Sequence, residues 1–173
     1  SDNNPVANVP RLKDNSPYEE MDFWEFEEFK KFAKAIDDPL YYRFFVFLYY
    51  TGARKGEARA MTWKQVDFKN NLITISRTLG RRKDKNGNYI INRPKNGYSR
   101  TIMLNSELRD VLLTYYLERK NHFDFDGKEY LFGIKKPLAD SAIENRKNKY
   151  CDKSGVKKIR IHDFRHSNVS LLV

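Results

Sequence analysis

Apolar residues recur at helical spacing from about Glu25 to Ile36, where Phe26, Phe29, Phe32, Ala33 and Ile36 form one stripe among Glu and Lys. Trp24, ahead of that start, and Phe29 stand where a hydrophobic staple would clamp the first turn, and Pro39 ends the pattern. The next run, Leu40 to about Tyr50, is aromatic on almost every side: Tyr41, Tyr42, Phe44, Phe45, Phe47, Tyr49 and Tyr50. A helix that apolar has to be covered all round, so it is expected at the centre of the fold. Gly52 supplies the permissive residue that ends it, and a third helix is expected over about Lys55 to Trp63. Strand-like runs follow at Leu72 to Thr78, Tyr89 to Asn92 and Arg100 to Leu104, with Asn-Gly pairs at 86–87 and 96–97 between them. Asn-Gly is a strong hairpin signal, so the three runs predict a small three-stranded antiparallel sheet. Ser106 is the expected cap of a helix that runs to about Lys120 with Leu108, Val111, Leu112 and Tyr115 on one face. After a loop containing Gly127, Gly133 and Pro137, a helix over about Ser141 to Lys153 is closed by Gly155. A last helix opens near Ile161 and runs to Val173. The predicted fold class is α+β, mainly α-helical.

A chain of 173 residues with 40% hydrophobic and 14% aromatic content suits one compact domain, expected over residues 18–173. Ser1 to Pro17, with Pro5, Pro10 and Pro17 among Asn and Ser, has the composition of a linker. The longest apolar run, Phe44 to Tyr50, is far too short to span a bilayer, and no segment has the layout of a signal peptide. The expectation is a soluble, cytoplasmic protein. The single cysteine, Cys151, excludes an internal disulfide.

Charge changes the picture. The net +10 is unevenly spread: Glu19 to Asp38 carries eight acids against three lysines, whereas Ser76 to Arg100 carries eight basic residues against Asp84 alone. Glu144 to His166 adds eight basic residues against three acids. Two basic stretches suit a polyanion, because neutralised phosphates release counterions and drive binding without sequence readout. Arg81, Arg82 and Lys83 in the first stretch, and Arg146, Lys147 and Lys149 in the second, are the candidate contacts to such a polyanion, nucleic acid among them.

Two short segments carry candidate chemistry. Near the end of the chain, His162, Arg165 and His166 fall within one helical turn of one another. On these residues alone the segment reads as a solvated helix start, a phosphate-gripping pair, or a two-histidine metal site. The metal reading lacks its general base, since Asp163 stands where His-Glu-x-x-His needs glutamate. Over a hundred residues earlier, Thr51-Gly52-Ala53-Arg54-Lys55-Gly56-Glu57 places an arginine and a glutamate three apart at the start of a helix.

Together, Thr-Gly-x-Arg-x-x-Glu and a distant His-x-x-Arg-His resemble the tyrosine recombinases, the phage-integrase family, over roughly Asp22 to Val173. The resemblance implies the helical catalytic domain of that family, acting on double-stranded DNA in site-specific recombination, for integration or excision of a mobile element. It implies that Arg54 and Arg165 grip the scissile phosphate, that His162 donates a hydrogen bond or moves a proton, and that Glu57 orients Arg54 or a histidine. Lys95, on the turn Pro94 to Ile102, fits the family's general acid, with Lys83 and Lys85 as fallbacks; His166 is a supporting residue. Guanidinium suits a phosphate whose charge grows in the transition state, and no metal or cofactor is implied. The family's nucleophile is a tyrosine beyond the second arginine, and none of the eleven tyrosines follows Arg165. The expectation is therefore a fragment that binds DNA without cleaving it and is monomeric, whereas its parent, phage-encoded or bacterial, is a recombinase assembling as a tetramer. A non-catalytic DNA-binding module of the same fold is the alternative.

Overall fold

The computed structural model describes residues 22–94 and 96–171; the expected 1–17 linker and the candidate general acid Lys95 lie outside them. Helix α1 spans Phe26–Ala35, and Glu28 at its third position accepts the Glu25 amide at 2.9 Å. Trp24 is fully buried, with its ring 4.6 Å from Phe32 and 5.2 Å from Phe164. Phe29, the expected staple partner, instead stacks on Tyr49 at 3.7 Å. Helix α2 spans Pro39–Thr51, with Pro39 in its first turn and the Asp38 carboxylate accepting the Leu40 amide at 2.9 Å. Phe44, Phe45, Phe47 and Leu48 are fully buried, which places α2 at the centre, as its composition requires. Each such side chain contributes roughly 1.5–3 kcal/mol.

Helix α3 is Lys55–Arg59, shorter than the Lys55 to Trp63 run expected, and a 3-10 turn follows at Trp63–Gln65. The cause is a diverted acceptor. The Ala60 carbonyl, which would receive the amide four residues on, is taken by the Arg77 guanidinium through Nε at 3.1 Å and Nη2 at 2.7 Å. Arg77 also lies where the expected Leu72 to Thr78 strand breaks in two.

The sheet differs from expectation in its membership. The three-stranded antiparallel sheet has the order β1 (Val66–Asp67), β2 (Leu72–Ile75), β5 (Arg100–Met103). The Tyr89–Asn92 strand, β4, pairs with β3 (Thr78–Lys83) in a separate two-stranded ribbon. Ile73 and Ile75 are fully buried and Ile73 is registered with Ile102, so β2 selects β5 as the partner that also faces the core. The first Asn-Gly closes the ribbon, with the Asp84 carboxylate accepting the amides of Asn86 and Asn88. The second forms a turn, Gly97 amide to Pro94 carbonyl at 2.7 Å, between strands that belong to different sheets.

Helix α4, Ser106–Lys120, is capped by Asn105, whose side chain accepts the Leu108 amide at 2.9 Å; Ser106 is its first helical residue and not its cap. Helix α5, Asp140–Ser154, packs against α1 and ends at Gly155 with φ 76°. A 3-10 turn, Ile161–Asp163, leads into α6, Phe164–Leu171, which packs against α2. Among the described residues no helix is long and apolar enough to cross a membrane.

The join of α6 to α2 decides where the two conspicuous segments meet. The Asn168 side-chain amide donates to the carbonyls of Tyr49 at 2.9 Å and Tyr50 at 3.0 Å, at the end of α2. Gly52 follows in the left-handed conformation, φ 63°, and a Cβ there would lie 2.9 Å from the Asn168 Oδ1. Gly52→Ala is expected to lose about 1–2 kcal/mol from backbone strain alone, with the Asn168 clash adding to it; a lowered thermal midpoint by circular dichroism checks this.

Candidate active site

The site starts from one buried carboxylate. Glu57, on the first turn of α3, is 1% exposed. Its Oε2 accepts the Arg54 amide at 2.8 Å, and its Oε1 lies 3.4 Å from the Arg54 Nη1. Its strongest partner is Arg100, at the start of β5, which donates through Nη1 at 2.9 Å and Nη2 at 2.7 Å in a two-pronged pair. Burial works to raise the Glu57 pKa; the Arg100 hydrogen bonds, the Arg54 amide and the two guanidinium charges overcome it and hold the carboxyl below its ordinary value.

Arg165, on the first turn of α6, joins this cluster. Desolvation, then the charges of Arg54 and Arg100, lower its pKa, opposed by Glu57. A guanidinium still stays protonated under these pressures. Arg165 Nη1 is buried and has no hydrogen-bond partner among the described residues. A buried, unpaired cationic donor beside two other arginines is costly, and an anion is the group that satisfies it.

His162 sits one turn before Arg165 on the 3-10 segment. That segment is shaped by Asp163, 1% exposed, whose carboxylate accepts the Arg160 amide at 2.9 Å. The side chain of Arg160 adds bonds of 3.2 Å and 3.1 Å to the same carboxylate. His162 itself is solvent-exposed, yet partial desolvation, then the Arg165 and His166 charges, pull its pKa below the ordinary value. The shift favours the neutral imidazole. The His162 and His166 rings lie 5.7 Å apart, edge to face. Among the described residues no group of three or more His, Cys, Asp or Glu gathers there or elsewhere to hold a metal ion.

A groove of about 810 Å³ opens beside Arg54 and His162, lined also by Lys55, Gly56, Arg59 and Arg160, by the ribbon residues Thr78 to Arg81, Lys83 and Tyr89, and by two acids of α5, Asp140 and Glu144, so that basic residues outnumber acidic ones along it. The ribbon is held close to α3. A Cβ on Gly56 would lie 2.6 Å from the Thr78 Oγ1, and the Tyr89 ring sits 4.8 Å from both the Arg59 guanidinium and the Lys83 ammonium.

The candidate DNA contacts therefore divide. Arg81, Arg82 and Lys83 are exposed on β3, and Arg81 and Lys83 line the groove. Arg146, Lys147 and Lys149 do not line it. Lys147 is buried against Glu144 at 3.0 Å, Arg146 donates to the Tyr150 hydroxyl at 3.2 Å and lies over the Tyr41 ring, and Lys149 lies 3.8 Å from Asp37. Each of the three already has an intramolecular partner, and that of Lys147, Glu144, itself lines the groove. Sequence reasoning used Arg100 only as a charge and a strand start, and did not place it at the site. The signal was its position at the start of a strand, shortly after the Asn96-Gly97 pair, in register with Ile75.

The chain matches the phage integrase family model over residues 20–173. It is 34% identical to the ICEBs1 integrase of Bacillus subtilis (strain 168), an alignment covering 98% of this chain and 47% of that protein. It is 32% identical to the integrase of Staphylococcus phage L54a, covering 70% of this chain and 37% of that one. The chain thus spans less than half the length of these curated relatives. Among solved structures, the Tn1549 transposon integrase in complex with a circular intermediate DNA superposes with a TM-score of 0.69 at 24% identity, covering 92% of this chain and 54% of that one. XerA recombinase gives 0.66 at 23% identity, covering 87% and 50%. Both likenesses establish the fold: a mainly helical α+β domain with small antiparallel sheets.

The His162 environment yields a pH prediction. Nearby positive charge disfavours imidazolium, so the His162 titration followed by NMR is expected to have its midpoint below about 6.5. Arg165→Gln, which removes the second cause, is expected to move that midpoint upward.

Proposed function

Because the chain belongs to the phage integrase family, we propose that it is the catalytic domain of a site-specific recombinase that cuts and rejoins double-stranded DNA during integration or excision of a mobile element. The observation that carries this reading is the buried, unpaired Arg165 Nη1 in a cluster with Arg54 and Arg100, of which Arg54 also lines the adjacent groove. Pairs of guanidinium forks suit a phosphodiester under attack, because charge on its non-bridging oxygens rises toward the transition state and the forks are already in place.

In this reading Arg54 and Arg165 hold the non-bridging oxygens. A tyrosine oxygen, supplied from outside residues 1–173, attacks phosphorus; the bond to the 5′ oxygen breaks, and the 3′ phosphate becomes joined to the tyrosine. Lys95, five residues before Arg100 in the sequence, gives its proton to the departing 5′ oxygen. His162 has a ring N–H to donate to a phosphate oxygen, and His166 supports it from one turn on. The reverse attack by a 5′ hydroxyl restores the DNA and the tyrosine without ATP. The exposed Arg81, Arg82 and Lys83 bind the DNA backbone along the groove, a role the geometry favours less for Arg146, Lys147 and Lys149, whose charges are engaged elsewhere. The intact protein acts in the cytoplasm, as a tetramer on paired DNA sites.

The test uses the gene product read through to its natural stop, incubated with nicked duplex carrying the recombination site and analysed on a denaturing gel. A covalent protein–DNA adduct is expected without added metal, and Arg54→Ala or Arg165→Ala should abolish it. Tight, salt-dependent DNA binding with no adduct would instead identify a non-catalytic binding module. Measured against salt, the DNA affinity of Arg81→Ala or Lys83→Ala should show a slope smaller by about 1 for each phosphate no longer neutralised, with Lys149→Ala unchanged.

A further inference from the structure

We propose that Arg100 is a positioning residue of this site, acting through Glu57 to leave the Arg54 guanidinium free for a phosphate. The inference rests on the reading of Arg54 as a phosphate ligand and adds a residue to it. Glu57 is 1% exposed and so needs a cationic partner inside the fold. Arg54, three residues away on the same turn, is the local candidate, and a full two-pronged pair between them would consume the fork that has to meet the DNA. The geometry avoids that outcome. Both Glu57 oxygens are taken by Arg100 at 2.9 Å and 2.7 Å, whereas the Arg54 side chain approaches through one nitrogen at 3.4 Å.

Glu57 keeps a firm hold on Arg54 only through the backbone amide, at 2.8 Å, which fixes where the side chain starts without occupying its end. The sheet supplies the anchor: Arg100 is paired with Ile75 on β2, whose side chain is fully buried, so the guanidinium is held from the core side. With one carboxylate among Arg54, Arg100 and Arg165, the cluster keeps a surplus of positive charge to meet an anion.

Two measurements test this together. In the 173-residue chain, hydrogen exchange of the Arg54 amide is followed by NMR, with the Gly52 amide, bonded to the Leu48 carbonyl, as an internal control. Arg100→Ala is expected to speed Arg54 exchange at least tenfold with the control unchanged, and Arg100→Lys to speed it less. In the full-length gene product, the single-turnover rate of adduct formation at saturating nicked DNA is expected to fall about 10²-fold for Arg100→Ala, as small misplacements of a catalytic group do. DNA affinity should stay within about threefold, and Arg100→Ala combined with Glu57→Gln should be no slower than the slower single variant, because both act along one path. Unchanged Arg54 exchange in Arg100→Ala overturns the inference. So does a rate that falls only in proportion to DNA affinity, which would make Arg100 a simple DNA ligand. A wild-type protein that forms no adduct, while Arg54 exchange still responds to Arg100→Ala, refutes the functional reading and upholds the positioning.

Discussion

The last turn of a helix leaves carbonyls with no partner inside that helix, and the site depends on how α2 resolves this. Two of its terminal carbonyls are met by one side chain, Asn168, which belongs to α6. The aromatic helix at the centre of the fold is thereby tied to the helix that carries Arg165, and Gly52 turns the chain at the tie so that Arg54 follows immediately. Two segments over a hundred residues apart are brought face to face by a hydrogen-bonding need that any helix end has. Hydrophobic packing reinforces the same join, since Phe164 at the start of α6 is fully buried against Phe32, Phe45 and Trp24.

Electrostatics sets the second constraint. Three arginines cannot be crowded together without a counter-charge, and a counter-charge that paired with all of them would neutralise the site. A single buried carboxylate, held mainly by the arginine on the sheet, satisfies both conditions. The remaining unpaired donor, Arg165 Nη1, is a cost the fold retains. Arg59 Nη2 and Trp63 Nε1 are likewise buried without a partner among the described residues, but Arg165 Nη1 is the one that lies in the arginine cluster, where an anion would satisfy it.

The helices were legible because each is written in the near neighbourhood of its own residues: the stripe of α1, the unbroken aromatics of α2, Gly52 and Gly155 at their ends. The candidate site was written as two short residue patterns, whose Arg54, Glu57 and Arg165 the fold brings together. What could not be read was pairing at a distance. Nothing local to Tyr89–Asn92 says that it joins β3 rather than β5; that choice follows from Ile73 and Ile75 needing a partner strand over the core. The truncation of α3 was hidden for the same reason, because the acceptor is taken by Arg77 from seventeen positions on. Arg100 escaped notice because a carboxylate's partner can come from any strand that reaches it. The charges of α5 misled in the other direction: Lys147 in a basic run looks solvated, and only the fold reveals it buried beside Glu144.

Trp24 carries one more implication. Its amide donates to the Ser167 hydroxyl at 2.9 Å across 143 positions, and its indole N–H donates to the Lys157 carbonyl. The helix bearing Arg165 is therefore seated partly on a residue made among the first of the described chain, and that residue has nothing to seat until nearly all of it has been synthesised. On the ribosome the central aromatic helix is exposed well before its cover arrives, a state prone to hold chaperones. The cluster of arginines comes together only once α6 has emerged, so a nascent chain still short of α6 has no assembled anion site with which to seize nucleic acid nearby.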